Sequence, residues 1–228
     1  NAVIGMIELA LKNAEQGRID HDALAVASDA SRGMLELIGD ILDIARIESG
    51  HLSLTLEPSN PRELLASVAR IFEGLARTKG LMLKVDLDPL VDRYVMIDPL
   101  RFKQVVSNLL SNAIKFTAKG HVHLCARGSP AVANGYVSLR LVVEDSGVGI
   151  SVEDQARLFN PFVQGRNTDQ SARSGSGLGL VISRSLCEMM GGQLKLSSRL
   201  GQGTRVEVTL SLAVASSTSA EHESVALD

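Results

Sequence analysis

Four short stretches carry residue types suited to binding a charged ligand. In "FKQVVSNLLSNAIKFT" (Phe102–Thr117), a helix is expected that is made almost wholly of core residues. Yet Asn108 and Asn112 stand four apart on one face, with Lys115 one step further along it. Burial penalises an amide that lacks a partner, so such a helix needs a reason to keep them. An Asn oxygen is a hard-cation ligand and tolerates Mg²⁺ retaining most of its waters; Lys115 would add a movable positive charge. "DSGVGI" (Asp145–Ile150) follows a strongly apolar strand. A carboxylate there, followed by Gly147 and Gly149, lets a flat ring approach the backbone while the acid accepts an N–H. Adenine offers that donor at its 6-amino group; the plain alternative is a turn and a helix start.

"GSGLGL" (Gly175–Leu180) follows a polar loop and opens a helix. Amides at a helix N-terminus, bare of side-chain bulk, form an anion seat for phosphates. Its G-x-G-x-G spacing is neither the dinucleotide fingerprint nor a Walker P-loop. "GQGT" (Gly201–Thr204), before the last strand, is a weaker signal still, and such a stretch is most often a hairpin. Together the stretches suggest one site, with the asparagine face holding a Mg²⁺ that bridges phosphates seated on the second glycine turn.

The elements that must position these residues follow from the pattern. Residues 2–15 and 21–48 carry apolar residues at heptad-like spacing, with Gly17 closing the first helix and Asp20 capping the second. That is a helical hairpin. Its stripe is too broad for two helices to bury, so two copies are expected to form a four-helix dimer; the alternative is packing against the same chain. "LSLTLE" (Leu52–Glu57) alternates like a strand. Asn60, Pro61 and Glu63 then start a helix running to about Lys79. Strands are expected at 81–87 and 93–97, the asparagine helix from Asp98, and a hairpin of "HVHLCAR" and "YVSLRLVVED". A short helix in "SVEDQARLF", a polar loop at 164–176, a helix from Gly177 to Met190 and strands at 193–198 and 203–212 complete the order. This is an α+β chain, with a hairpin (1–50), an α/β sandwich with one mixed sheet and helices on one face (51–212), and a polar tail (213–228).

Composition narrows the functions. The chain has 228 residues, 23 basic against 26 acidic, so nothing in the totals calls for nucleic acid or an anionic membrane. Aromatics are 3% with no Trp, which disfavours base-stacking platforms. Cys125 and Cys187 lie far apart without C-x-x-C, and both are expected as buried free thiols. No run of 18 apolar residues occurs, and the chain opens in mid-pattern.

The asparagine helix, D-x-G-x-G, "LFNPF", G-x-G-L-G-L and G-x-G-T in succession resemble the N, G1, F, G2 and G3 boxes of sensor histidine kinases. "NAVIGMIELAL" and "LIGDILDIARIESGHLSL" resemble the dimerisation helices of the hybrid branch of that family. The likeness covers residues 1 to about 212 and implies a Bergerat (GHKL) ATP-binding fold. It implies Asn112 as the principal Mg²⁺ ligand, with Asn108 and Lys115 near metal and phosphates. Asp145 would read adenine, framed by Gly147, Gly149 and Ile150. Gly175, Ser176, Gly177, Leu178 and Gly179 would line the phosphates, and Thr204 the third turn. Phe159 and Phe162 would anchor loop 164–176 as a lid over ATP.

The resemblance also implies transfer of the ATP γ-phosphoryl to a histidine on the hairpin, then to an aspartate of a receiver domain, with a linker at 50–60 that swings. It implies a homodimer through 1–50 and the cytoplasmic part of an inner-membrane-anchored bacterial sensor, itself without direct membrane contact. The acceptor box, resembling H-E-L-R-T-P, would fall just ahead of Asn1 and is not in this sequence. His21 and His222, each followed by an acid, lack the motif; His121 and His123, on one strand face, are expected to face solvent, and His51, after the hairpin, has no special role. Two other readings remain open at this point. One is an ATP hydrolase of the gyrase, Hsp90 and MutL kind, which would carry a Glu where Asn108 stands. The other is a non-catalytic dimerisation and nucleotide-sensing module.

Overall fold

The computed structural model describes residues 2–15, 18–130, 135–160 and 177–215. Helices α1 (Ala2–Glu15) and α2 (His21–Glu48) form the hairpin. Asp20 joins them: its Oδ1 accepts from Ala23 N at 2.9 Å and its Oδ2 from Asn13 Nδ2 at 2.7 Å. The expected glycine stop, Gly17, lies outside the described residues. Of the apolar stripe on α2, Ile44 and Ile47 pack on the core of the following domain. Met34, Leu35, Ile38, Ile41 and Leu42 stay exposed, so packing within the chain accounts for the first turns, where Ala23 and Ala27 are buried, and for the last, but not for the middle of α2.

The strand expected at 52–57 is displaced. Leu52 is buried, but its N–H goes to Arg46 O at 3.1 Å, and Thr55 N goes to Asp98 Oδ2 at 2.9 Å. Only β1 (Glu57–Ser59) pairs, antiparallel with β3 (Val95–Ile97), forming a small sheet apart from the main one. The single mixed sheet foreseen from the pattern is therefore two. The segment imagined as a free linker is strapped to its neighbours.

Between β1 and β3 run α3 (Pro61–Thr78), β2 (Met82–Leu87) and an unforeseen 3₁₀ turn at Pro89–Val91, capped by Asp88. Asn60 caps α3, with Oδ1 accepting from Arg62 N at 3.0 Å and Pro61 in the first turn where no N–H is needed. Then follow α4 (Pro99–Phe116), β4 (His121–Gly128), β5 (Tyr136–Asp145), a one-turn α5 (Val152–Gln155), α6 (Gly179–Met189), β6 (Gly192–Arg199) and β7 (Gly203–Ala213). The five-stranded sheet has order β2-β4-β5-β7-β6, with β2 parallel to β4 and the other pairs antiparallel. Its inward residues, such as Leu124, Leu141, Val208 and Leu194, form one core with α3, α4 and α6. The register of β5 on β7 sets Asp145 opposite Thr204.

The outward face carries paired charges. His123, expected in solvent, is only part-exposed and bonds Asp86 at 2.8 Å; Glu144 pairs with Arg205. Both cysteines are free, but only Cys187 is buried, and burial pushes its thiol up to about 12; Cys125 is half-buried. No described helix is long and apolar enough to cross a membrane.

Candidate functional site

The asparagine helix α4 starts where Asp98 Oδ1 accepts from Arg101 N at 3.0 Å, with Pro99 at its first position. Phe102, Val105, Val106, Leu109, Leu110, Ala113 and Ile114 recur at 3–4 residue spacing and are buried, which fixes the helix's rotation about its axis. Asn108, Asn112 and Lys115 fall beside that stripe, half-buried. They do not share one job. Asn108 Nδ2 donates to Gly179 O at 3.3 Å and Ser183 Oγ at 3.4 Å, tying α4 to the first turn of α6. The Asn112 side chain has no hydrogen-bond partner among the described residues, which leaves its oxygen available to a cation. Among the described residues no cluster of three or more His, Cys, Asp or Glu side chains could hold a metal. A hard cation at this face would be held by the Asn112 carboxamide oxygen, a donor that suits Mg²⁺ and its preference for keeping waters.

Every carbonyl at the end of α4 is satisfied, as a buried helix end requires. Ala113 O accepts from Thr117 Oγ1 at 2.7 Å. Ile114 O and Lys115 O accept from Lys79 Nζ at 2.6 and 2.8 Å. Phe116 O accepts from Val148 N at 3.4 Å, inside the first glycine turn. Lys115 Nζ stands 4.9 Å from the Phe116 ring centroid, and burial lowers its pKa.

Asp145 ends β5. Its Oδ1 accepts from Gly147 N at 2.8 Å and from Thr204 N at 3.3 Å, while Oδ2 has no hydrogen-bond partner among the described residues. Burial raises this carboxyl above the usual range, and the two backbone donors pull it part of the way back. The glycines are required by close approach. A Cβ on Gly147 would strike Phe116 O, on Gly149 (φ +67°) Arg199 O, and on Gly203 (φ +86°) Asp145 O. Gly201 N donates to Val148 O at 2.7 Å. The first and third glycine turns are thus one packed unit.

The second turn enters from the other side. Gly177 has φ +70°, and Gly179 begins α6 with its Cβ position 3.6 Å from Asn108. Its helix starts two residues later than the sequence suggested and has no side-chain cap on its first N–H groups. Leu178 is fully buried and anchors the turn in the core. Phe159 packs on the core, with the Arg184 guanidinium 5.1 Å from its ring centroid. Phe162, Gly175, Ser176 and the lid expected at 164–176 lie outside the described residues.

Three contributors carry no sequence signal: Lys79 on the end of α4, Ser183 under Asn108, and Ser198 at the end of β6. Ser198 Oγ accepts from Ile150 N at 2.8 Å, and Gln155 bonds the carbonyls of both residues. The segments thus connect in series: α6 against α4, α4 against the first turn, the first turn against the third.

Comparison with known proteins shows the family to which the chain belongs. Residues 97–214 match the family described as histidine kinase-, DNA gyrase B- and HSP90-like ATPase. The virulence sensor protein BvgS of Bordetella bronchiseptica is 48% identical over 215 residues, covering 93% of this chain and 17% of BvgS. The autoinducer 2 sensor kinase/phosphatase LuxQ of Vibrio cholerae is 36% identical over 213 residues, covering 92% of this chain and 24% of LuxQ. The chain therefore spans about a fifth of such relatives. Among solved structures, full-length ShkA in complex with AMPPNP superposes with a TM-score of 0.71 at 31% identity, over 95% of this chain and 43% of ShkA. The chain belongs to the histidine kinase-, DNA gyrase B- and HSP90-like ATPase family, and its relatives within that family are sensor histidine kinases.

Proposed function

We propose that this chain is the catalytic core of a two-component sensor histidine kinase, binding Mg·ATP and transferring the γ-phosphoryl to a histidine on the dimerisation bundle. The observation that carries this reading is the series of contacts just described. An Asn112 carboxamide without a hydrogen-bond partner among the described residues, a helix start with no side-chain cap and a half-buried Asp145 with one uncommitted oxygen belong to segments in direct contact. The AMPPNP bound by ShkA supports ATP as the ligand.

In this reading Asp145 holds the adenine 6-amino group, the first turn of α6 takes phosphate oxygens, and Asn112 with Lys115 faces the β and γ phosphates. Mg²⁺, when bound, neutralises phosphate charge. The protein's part is positioning and charge complementarity, because phosphoryl transfer passes through a loose transition state that asks little covalent help. The bond from the γ phosphorus to the bridging oxygen breaks, a phosphorus–nitrogen bond forms on a neutral imidazole, and ADP departs with the electron pair. Asn108 argues for transfer over hydrolysis. Where a hydrolase would need a carboxylate to activate water, this amide cannot take a proton and is engaged with α6.

The exposed α2 stripe of Met34, Leu35, Ile38, Ile41 and Leu42 supports a homodimer through residues 1–50. The ATP-binding domain then follows at 51–212, and the sensor is membrane-anchored with this part in the cytoplasm. Relay to an aspartate on a receiver domain completes the proposal. The test supplies γ-labelled ATP and a bundle fragment bearing the acceptor histidine. Acid-labile, base-stable label on the fragment, lost with Asn112→Ala, is expected. Phosphate release without transfer, at rates typical of hydrolases, would overturn it.

A further inference from the structure

We infer that Ser198 is a positioning residue that sets purine specificity by fixing which way the Thr204 hydroxyl points its proton. A serine hydroxyl has one proton and two lone pairs, and here all three have partners. Ser198 Oγ donates to Gly203 O at 2.7 Å and accepts from Ile150 N at 2.8 Å. Thr204 Oγ1 lies 3.0 Å away. With the serine proton committed to a carbonyl, which cannot donate in return, the Thr204 hydroxyl has to be the donor in that contact. Thr204 then has only lone pairs left for anything else.

This assignment rests on the reading of Asp145 as the acceptor for the adenine amine, and it extends that reading to a second group. Thr204 stands opposite Asp145 in the β5–β7 register, and its N–H binds Asp145 Oδ1. Asp145 Oδ2 and Thr204 Oγ1 therefore belong to directly opposed residues at the end of one strand pair, and in this reading both act as acceptors towards the purine. Two acceptors suit an amino group, which has two protons, and repel a carbonyl oxygen at the same place. The site would take 6-aminopurine and refuse 6-oxopurine. Refusal depends on Ser198, because a threonine hydroxyl released from it can rotate and donate. Gln155 holds the arrangement from outside, with Nε2 donating to Ile150 O at 2.8 Å and Ser198 O at 2.9 Å. A hydrogen bond that changes sign alters binding by about 1 kcal/mol, or roughly fivefold.

The experiment measures ADP and IDP affinity by calorimetry without metal, which keeps Asn112 out of the comparison, with a thermal melt for each variant. Ser198→Ala should narrow the IDP-to-ADP ratio of dissociation constants about fivefold, and Ser198→Thr, which keeps a hydroxyl, should restore it. In a Thr204→Val background Ser198→Ala should no longer change the ratio. Equal loss for both nucleotides, or no change, would reduce Ser198 to a structural residue. Asp145→Asn is measured alongside. If it leaves the ratio unchanged, the reading of Asp145 itself fails; if it alters the ratio while Ser198→Ala does not, only the role of Ser198 fails.

Discussion

Asp43, near the end of α2, is gripped by Arg101 in the first turn of α4. Both carboxylate oxygens lie within 3.1 Å of the guanidinium Nη1, and Gln104 Nε2 adds a bond to Oδ2 at 2.8 Å. The side chains are largely buried, at 14% and 17% exposure. Asp98, the α4 cap, meanwhile holds Thr55 N. The hairpin is therefore tied directly to α4 of the ATP-binding domain while the connecting segment is held to the same helix start, and a swing of the hairpin against the domain has to break the Asp43 bonds. Asp43→Ala should lower the local opening free energy by about 1–3 kcal/mol, the worth of a hydrogen bond to a charged group. Amide hydrogen exchange checks it: Leu52 and Thr55 should exchange faster while the β5–β7 ladder keeps its protection. An unchanged Thr55 would show that the pair does not hold the junction.

Gly201 and Gly203 offer a matched comparison in one turn. Both have positive φ, +74° and +86°, so an alanine at either is strained by about 1–2 kcal/mol. A Cβ on Gly201 meets nothing within 4 Å, whereas on Gly203 it would run into the backbone oxygen of Asp145. Gly201→Ala should cost only the strain and leave ADP affinity within about twofold. Gly203→Ala should cost at least about 3 kcal/mol, because backbone has to move, and should remove most nucleotide affinity. Denaturant melts paired with calorimetry separate the two; equal costs would contradict the packing of the third turn on the first.

What could be read from the sequence and what could not divides along a physical line. The α4 stripe, its Asp98–Pro99 start and the Asn60–Pro61 start of α3 are local signals, and the structure follows them. The strand at 52–57 misled because alternation states only which face is apolar, not whether a partner edge exists; Leu52 and Thr55 found other acceptors instead. Asn108 and Asn112 looked equivalent at a spacing of four, but the partner of Asn108 is 71 residues away on α6. Ser198 is a lone serine at a strand end, and its significance lies wholly in register and turn packing. The glycine turns were legible as such, though not the pairing of the first with the third.

Lys79 is the distant donor to Ile114 O and Lys115 O at the end of α4. A cation there complements the negative end of the helix dipole as well as satisfying two carbonyls. Lys79→Met should destabilise the domain by about 0.5–1 kcal/mol, with Lys79→Arg retaining most of it. Since Thr117 still holds Ala113 O, the loss should be confined to the last turn and read out as faster exchange at its amides. A melt unchanged by Lys79→Met would mean that water serves those carbonyls as well.

Asp145 sets stability against binding. Burial raises its carboxyl in the folded chain, so the ionised form is the one that folding disfavours. The stability linked to this group is fully present below the carboxyl's unfolded pKa and is lost as pH rises through the raised folded value. At neutral pH the charge is thus a cost that the unliganded protein bears. Asp145→Asn keeps an oxygen to accept from Gly147 and Thr204 while removing that cost, so the unliganded melting temperature at pH 7 should be no lower than wild type. Adenine affinity should fall about 10- to 100-fold, the range for losing a hydrogen bond to a charged acceptor. In the wild type, ADP affinity should begin to weaken on acidification at a higher pH than an ordinary aspartate would give, and Asp145→Asn should flatten that limb. Calorimetry and melts across pH 4–8 on both proteins test this together. A lower melting point with an unchanged pH limb would mean that Asp145 serves the fold rather than the purine.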